Sequence, residues 1–372
     1  MPSPAMPASP QLTAPASATH AESEAAASAA QFPRHEPLAV QTRDGLVESI
    51  HYGSLIATAA DGRVLFAAGE PEAAFYPRSS LKPLQAVALV RAGLDLPADL
   101  LALTAASHSG AADHRDGAAR ILEMHGLTDA ALENSTDLPY GVLEREEWLR
   151  AGGRATQITQ NCSGKHAAMA ATCVINGWPV QGYLDPSHPL QQLVAETVAK
   201  LTGEEPAGMS TDGCGTPLFA LTLAGMARAF GRLAAAERPE DNSNSTSAAG
   251  AAAPTSPEAA VAHAMRRHPA MVAGEGRDVT ELMRRMPGLL AKDGFEGIQA
   301  VGLPDGRALV IKISDGGDRA RMPVTVRALE ALDVDTAPLA GIATGAVLGG
   351  GKPVGLLQAI DFLPSVPVND AN

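Results

Sequence analysis

The feature that most restricts this chain is where its strand signals fall. Near the start, "LVESIHYGSLIATAADGRVLFAAG" reads as strands around an Asp61-Gly62 turn. Near the end, "GIQAVGLPDGRALVIKI" reads as a hairpin around Pro304-Asp305-Gly306. Between them come apolar stretches at helical spacing. "LKPLQAVALVRAG" has Pro83 in a first turn and Gly93 as a stop, and "HPLQQLVAETVAKLTG" and "PLFALTLAGMARAFGRLAAA" follow it. The expectation is an α/β protein of the α+β kind, with a mostly antiparallel sheet assembled from the two ends and flanked by helices. A run of βαβ units fits less well.

Two stretches stand apart. The Ala/Pro/Ser-rich opening, residues 1–37, cannot offset its ordering entropy by burial and is expected to be a disordered tail. "RPEDNSNSTSAAGAAAPTSPEAA", residues 238–260, interrupts helical sequence and reads as a surface insertion or flexible linker. The folded body is then expected over 38–370. The opening lacks the basic and apolar regions of a secretory signal, and no run reaches the ~18 apolar residues of a membrane span.

Charge narrows the partners. With 28 Lys and Arg against 41 Asp and Glu, the net charge of −13 argues against nucleic acid. Three cysteines, Cys162, Cys173 and Cys214, are too few for a disulfide framework and imply reduced thiols in the cytoplasm. Cys173, in "MAATCVING", reads as a core thiol.

Four stretches could carry chemistry. In "RSSLKPLQA", Ser79 and Lys82 lie three apart, so a helix starting there sets both on one face, and a neutral lysine amine could take the serine proton. A capped helix start with a solvated lysine is the plain alternative. In "NCSGKHAAM", Cys162, Lys165 and His166 share one side of a helical turn, and "STDGCGTP" offers Asp212 and Cys214 in a Gly-rich turn. Two thiolates with an amine or imidazole would suit zinc, while buried apolar-like cysteines are the alternative. "LLAKDGFEG" places Lys292 before a turn leading into a strand, and "ASHSG" places Ser107 and His108 where an apolar segment ends, which a capped helix start would also explain. "GAVLGGGKPVG" is no phosphate loop, because Ala346 replaces the first glycine and Pro353 the Ser or Thr, so Gly349 to Gly351 read as a loop.

Taken together and in order, "RSSLKPLQA", "ASHSG", "NCSGKHAAM", "STDGCGTP", "AGEGRD" and "AKDGFEG" resemble the signatures of the L-asparaginase II family of the Rhizobium etli inducible type, from about Leu38 to Gly355. The resemblance implies a hydrolase converting L-asparagine to L-aspartate and ammonia, on a fold similar to serine β-lactamases and glutaminases. It carries two serine–lysine pairs onto Ser79 with Lys82 and Ser107 with Lys292. It carries zinc ligands onto Cys162, Lys165 and Cys214, with His166 and Asp212 beside them, and it implies a homodimer. The competing readings are an L-glutaminase, an S-x-x-K acyl-transfer enzyme of β-lactamase type, and a silent metal- or amino-acid-binding protein. The acyl-transfer reading expects S-D-N and K-T-G, and the chain has neither.

Overall fold

In a computed structural model, residues 32–236 and 256–362 are described. The described residues from His35 onward belong to one compact unit. In chain order its strands are β1 (Glu36–Arg43), β2 (Leu46–Thr58), β3 (Val64–Ala68), β4 (Gly208–Thr211), β5 (Pro217–Ala220), β6 (Leu290–Gly294), β7 (Ile298–Gly302), β8 (Ala308–Ile313), β9 (Gly345–Gly349) and β10 (Lys352–Ala359). Its helices are α1 (Lys82–Arg91), α2 (Ala98–Thr104), α3 (Ala112–Met124), α4 (Val142–Arg150), α5 (Ser163–Asn176), α6 (Pro189–Thr202), α7 (Leu223–Ala236), α8 (Pro257–Arg267), α9 (Pro269–Val272), α10 (Asp278–Arg285) and α11 (Arg321–Glu330).

One antiparallel sheet runs β6-β7-β8-β2-β1-β10-β9, and β3 pairs with the far end of β2. The sheet joins the two ends of the chain, as expected: β1 lies between β2 and β10, with Ala39 opposite both His51 and Ala359. Strand β8, "ALVIKI", couples this N-terminal part to the later hairpin through Leu55 opposite Ile311. Helix α7 packs on β2, β7 and β8, and α11 packs on β8, β10 and β1. The approach of α7 is close enough that a Cβ on Gly302 would meet the Phe230 carbonyl oxygen at 2.4 Å.

The helical part is built around α1 and α5. Leu84, Ala86, Val87, Ala88 and Leu89 of α1 are fully buried, as are Ala167 to Ala171 of α5. Burying each such leucine contributes about 1.5–3 kcal/mol. Small alanines keep α5 close to α2 and α3, which it contacts directly. Cys173 sits in this core, and burial pushes its thiol up to about 12.

Three local expectations are corrected. "PLFALTLAGMARAFGRLAAA" is not helical throughout, because Pro217–Ala220 pairs with Gly208–Thr211 as a β-ribbon and the helix starts at Leu223. The expected loop holds at Gly350 and Gly351, which take positive φ at the turn between β9 and β10, but Gly349 is the last residue of β9. Lys292 stands inside β6, with the turn beginning only after Gly294. The expected tail, 1–37, lies outside the described residues up to 31, and β1 already begins at Glu36. Of the expected insertion, 238–260, residues 238–255 lie outside the described residues, and Pro257 opens α8. Among the described residues no helix is long and apolar enough to cross a membrane.

Candidate active site

The site forms where the sheet's free edge meets the start of α1. A short 3-10 turn, Arg78–Leu81, precedes α1, and Ser79 and Ser80 within it are buried. Arg78 takes φ +49, a left-handed conformation unusual for a residue with a side chain. The turn is held by Ser80 Oγ donating to the Pro77 carbonyl at 2.7 Å and by Arg78 Nε donating to Asp212 Oδ1 at 2.8 Å. Edge strand β6 lies flush against it, and a Cβ on Gly294 would meet the Pro77 oxygen at 2.6 Å and the Ser80 nitrogen at 3.2 Å.

A small cavity opens at this junction, lined by Ser79, Ser107, Tyr140, Asn161, Arg277, Asp293, Gly294, Phe295 and Asp318. Behind it lie two buried lysines. Lys82 Nζ donates to the Ala106 carbonyl at 2.6 Å, Ser107 Oγ at 3.0 Å and Cys162 Sγ at 3.1 Å. These three acceptors match the full donor complement of a lysine side chain. Lys292 Nζ donates to the Asp293 carbonyl at 2.9 Å and to Asp293 Oδ1.

The expected pairing is therefore rearranged. Lys82 holds Ser107, and Lys292 holds Asp293. Among the described residues Ser79 Oγ makes no hydrogen bond and faces the cavity. Burial drives the Lys292 pKa down to about 8, helped by the charge of Lys82 and opposed by Asp293. Burial works against the Asp293 charge, but Lys292, Arg321 and Arg277 outweigh it and hold this carboxyl well below its ordinary range.

The sulfur cluster adjoins the same site. Cys162 precedes α5, and Lys165 Nζ donates to Cys214 Sγ at 3.2 Å and Thr216 Oγ1 at 2.9 Å. The neighbouring Cys162 thiol holds the Cys214 thiol well below its usual range, against burial and with help from Lys165. Burial opposes the Lys165 charge, but Cys214, Cys162 and Asp212 outweigh it and raise its pKa. Burial and then Lys165 hold the His166 imidazole down at about 4. Its Nδ1 is bonded to Tyr183 Oη at 2.8 Å, and its Nε2 is buried without a hydrogen-bond partner. Cys162 thus joins the two clusters, touching Lys82 on one side and Cys214 on the other.

The donor set suits a thiophilic divalent ion: two sulfurs and an amine, with the His166 imidazole and its orphaned nitrogen beside them. Among the described residues no three His, Cys, Asp or Glu side chains are grouped to hold a metal ion, so the third protein ligand would have to be the Lys165 amine. Asp212 is bonded to Arg78 and so ties the sulfur loop to the Ser79 turn.

Sequence reasoning missed Arg78, Arg277, Asp293 and Asp318 as parts of this site. Arg277 and Asp293 lay inside quoted motifs, "AGEGRD" and "AKDGFEG", and Lys292-Asp293-Gly294 has the K-x-G spacing of S-x-x-K enzymes. Nothing local marked Asp318.

A buried serine beside a left-handed turn residue, opening on a cavity backed by buried lysines, has the components that an acyl-transfer site requires. The chain belongs to the L-asparaginase II family, whose sequence model matches residues 39–359, and this places it among hydrolases that act on amides. A comparison with curated proteins gives no match. Among solved structures it is similar to a β-lactamase from Mycobacterium bovis, at 16% identity over 75% of this chain and 94% of that one, with a TM-score of 0.38. It is also similar to Mglu in its glutamate form, at 16% identity over 76% of this chain and 60% of that one, with a TM-score of 0.32. At these scores neither likeness bears on the substrate.

Proposed function

We propose that the protein hydrolyses L-asparagine to L-aspartate and ammonia, with Ser79 as nucleophile. The observation that carries this reading is the convergence of Ser79 and Ser107 on one cavity, with Lys82 bonded to Ser107 and Lys292 buried against Asp293. Ser79 is preferred as nucleophile because its hydroxyl is free and its turn is strained. Ser107 Oγ is committed to Lys82.

Ser79 Oγ attacks the side-chain amide carbon. Its proton passes by way of Ser107 towards the buried lysines, with Lys292, whose amine burial brings down to about 8, as the proposed acceptor. Backbone N–H groups at the junction of the Ser79 turn and edge strand β6 are the candidates to stabilise the oxyanion. The same network returns the proton to the leaving ammonia, and water then hydrolyses the acyl-enzyme. Cys162, Lys165 and Cys214 would hold zinc, supplying a fixed positive charge that is structural or orients the substrate. His166 and Asp212 support that set through Tyr183 and Arg78. The resemblance also supports a homodimer acting on a small-molecule substrate, and the three free cysteines support a cytoplasmic setting.

Ammonia release from L-asparagine and L-glutamine, with and without chelator, and elemental analysis of the purified protein test this reading. Faster release from asparagine that is lost in Ser79→Ala supports it; near-normal release by that variant refutes the nucleophile, and a preference for glutamine makes the enzyme a glutaminase. One observation favours a second reading. Lys292-Asp293-Gly294 lies on the strand that lines the cavity, where an S-x-x-K acyl-transfer enzyme carries K-T-G. Hydrolysis of nitrocefin in preference to either amino acid would select it. Zinc binding without turnover of any amide would indicate the silent binding protein.

A further inference from the structure

We propose that Arg277 receives the substrate's α-carboxylate and so restricts the enzyme to amides of α-amino acids. The proposal rests on the reading of amide hydrolysis at Ser79 and adds to it the residue that selects the substrate class.

Arg277 immediately precedes α10, following the Gly274-Glu275-Gly276 turn. Its Nη2 donates to Asp293 Oδ2 at 2.9 Å, and its guanidinium carbon lies 4.9 Å from the centre of the Tyr140 ring. These contacts fix the plane of the fork. Its Nη1 is buried and has no hydrogen-bond partner among the described residues. A buried cationic donor without an acceptor is costly unless something else supplies the acceptor.

The neighbouring charges are committed to one another, save that Arg321 Nε lacks a hydrogen bond and lies 3.6 Å from Asp318, the second carboxylate on the cavity wall. Asp293 accepts from Lys292 on one oxygen and from Arg277 on the other. Lys82 serves three acceptors, Arg78 pairs with Asp212 and Glu296, and Arg321 bonds Gln299 and Asp278. Of the cavity-lining side chains, Arg277 is the cation, and its open edge is what an incoming carboxylate would meet. A planar guanidinium matches a carboxylate in two parallel hydrogen bonds, which a lysine cannot reproduce. Asparagine places its α-carboxylate at the end opposite the amide. Arg277 and Ser79 line the same cavity, and the proposal gives the α-carboxylate to the first and the amide to the second.

The test compares wild type, Arg277→Gln and Arg277→Lys on L-asparagine and on 3-aminopropanamide, the same amide without the α-carboxylate. Arg277→Gln should raise KM for L-asparagine at least about tenfold with a much smaller change in kcat, as expected for loss of a charged hydrogen bond used equally in ground and transition states. The loss on 3-aminopropanamide should be much smaller than the loss on L-asparagine in each variant. A parallel loss on the two compounds, or an unchanged KM, overturns the proposal. Arg277→Lys keeps the charge beside Asp293, so if the glutamine variant does not fold, a severalfold rise in KM for the lysine variant provides the same reading. Calorimetric titration with L-aspartate separates this claim from the proposed activity. If wild type releases no ammonia, the proposal still requires L-aspartate to bind and to bind at least about tenfold more weakly to Arg277→Gln. Equal binding, or none to wild type, overturns it.

Discussion

Arg78 carries a backbone conformation that costs a non-glycine residue on the order of 1–3 kcal/mol, and the protein spends two acidic partners, Asp212 and Glu296, on its side chain. The Oγ of the serine that follows it, Ser79, makes no hydrogen bond among the described residues and lines the cavity. Ser79→Ala should lower kcat at least about a thousandfold with little change in melting temperature, measured by ammonia release and thermal unfolding. Lys292 gives the pH dependence. Its amine becomes neutral above about 8, so kcat/KM should rise with pH along a limb centred there, and Lys292→Arg, which stays charged, should remove that limb. The sign for stability follows from the same shift. The native state binds fewer protons than the unfolded chain between about 8 and the ordinary 10.5, so wild type should gain stability on Lys292→Met as pH rises through that window. The charges facing Lys292 are Asp293, Lys82 and Arg277, and a limb displaced by more than about a unit in the Arg277 variants would show how strongly they are coupled.

At the scale of elements, the junction of β6 with the Ser79 turn is the part that tolerates least. Gly294 has ordinary backbone angles, so Gly294→Ala meets no conformational penalty and acts through volume alone. The added methyl would press on Pro77 and Ser80, and kcat/KM should fall about a hundredfold through displacement of the turn, with a stability loss of about 1–3 kcal/mol. A melting temperature that falls without loss of activity would show that the turn moves as a rigid piece with β6. The elements also show where patterns mislead. "PLFA" is a short, wholly buried apolar run, which periodicity cannot separate from a helix start, and pairing with Gly208–Thr211 decided it. The glycines of β9 and β10 hide a hairpin because strand signals weaken where small residues sit at a sheet edge.

For the whole molecule, the sheet binds the chain's two ends: β1 is held between β2 and β10, strands more than 300 residues apart in sequence for the β1–β10 pair. Removing residues 345–372 leaves every named site residue in place yet exposes β1 as an open edge. That variant should aggregate or elute as a heterogeneous species in size-exclusion chromatography. A chain starting at residue 32 should keep kcat/KM within about twofold, since every element of the site lies beyond it. Soluble, active protein from the first variant, or a large loss in the second, would each contradict the division of the chain given above.

Much of this protein was legible in the residues alone. The alternation around Asp61-Gly62 and Asp305-Gly306 and the helical spacing between them specified an antiparallel sheet with helices, and the spaced motifs specified the family, because both depend on contacts a few residues apart. What only the tertiary structure decided was which charge serves which hydroxyl. Lys82 on Ser107, Lys292 on Asp293, and Arg277 with one edge left open are choices made across 16 to 25 residues or by an adjacent side chain's rotamer. Spacing brings such groups within range of one another, but burial removes the water that would otherwise satisfy them, and so selects the partner.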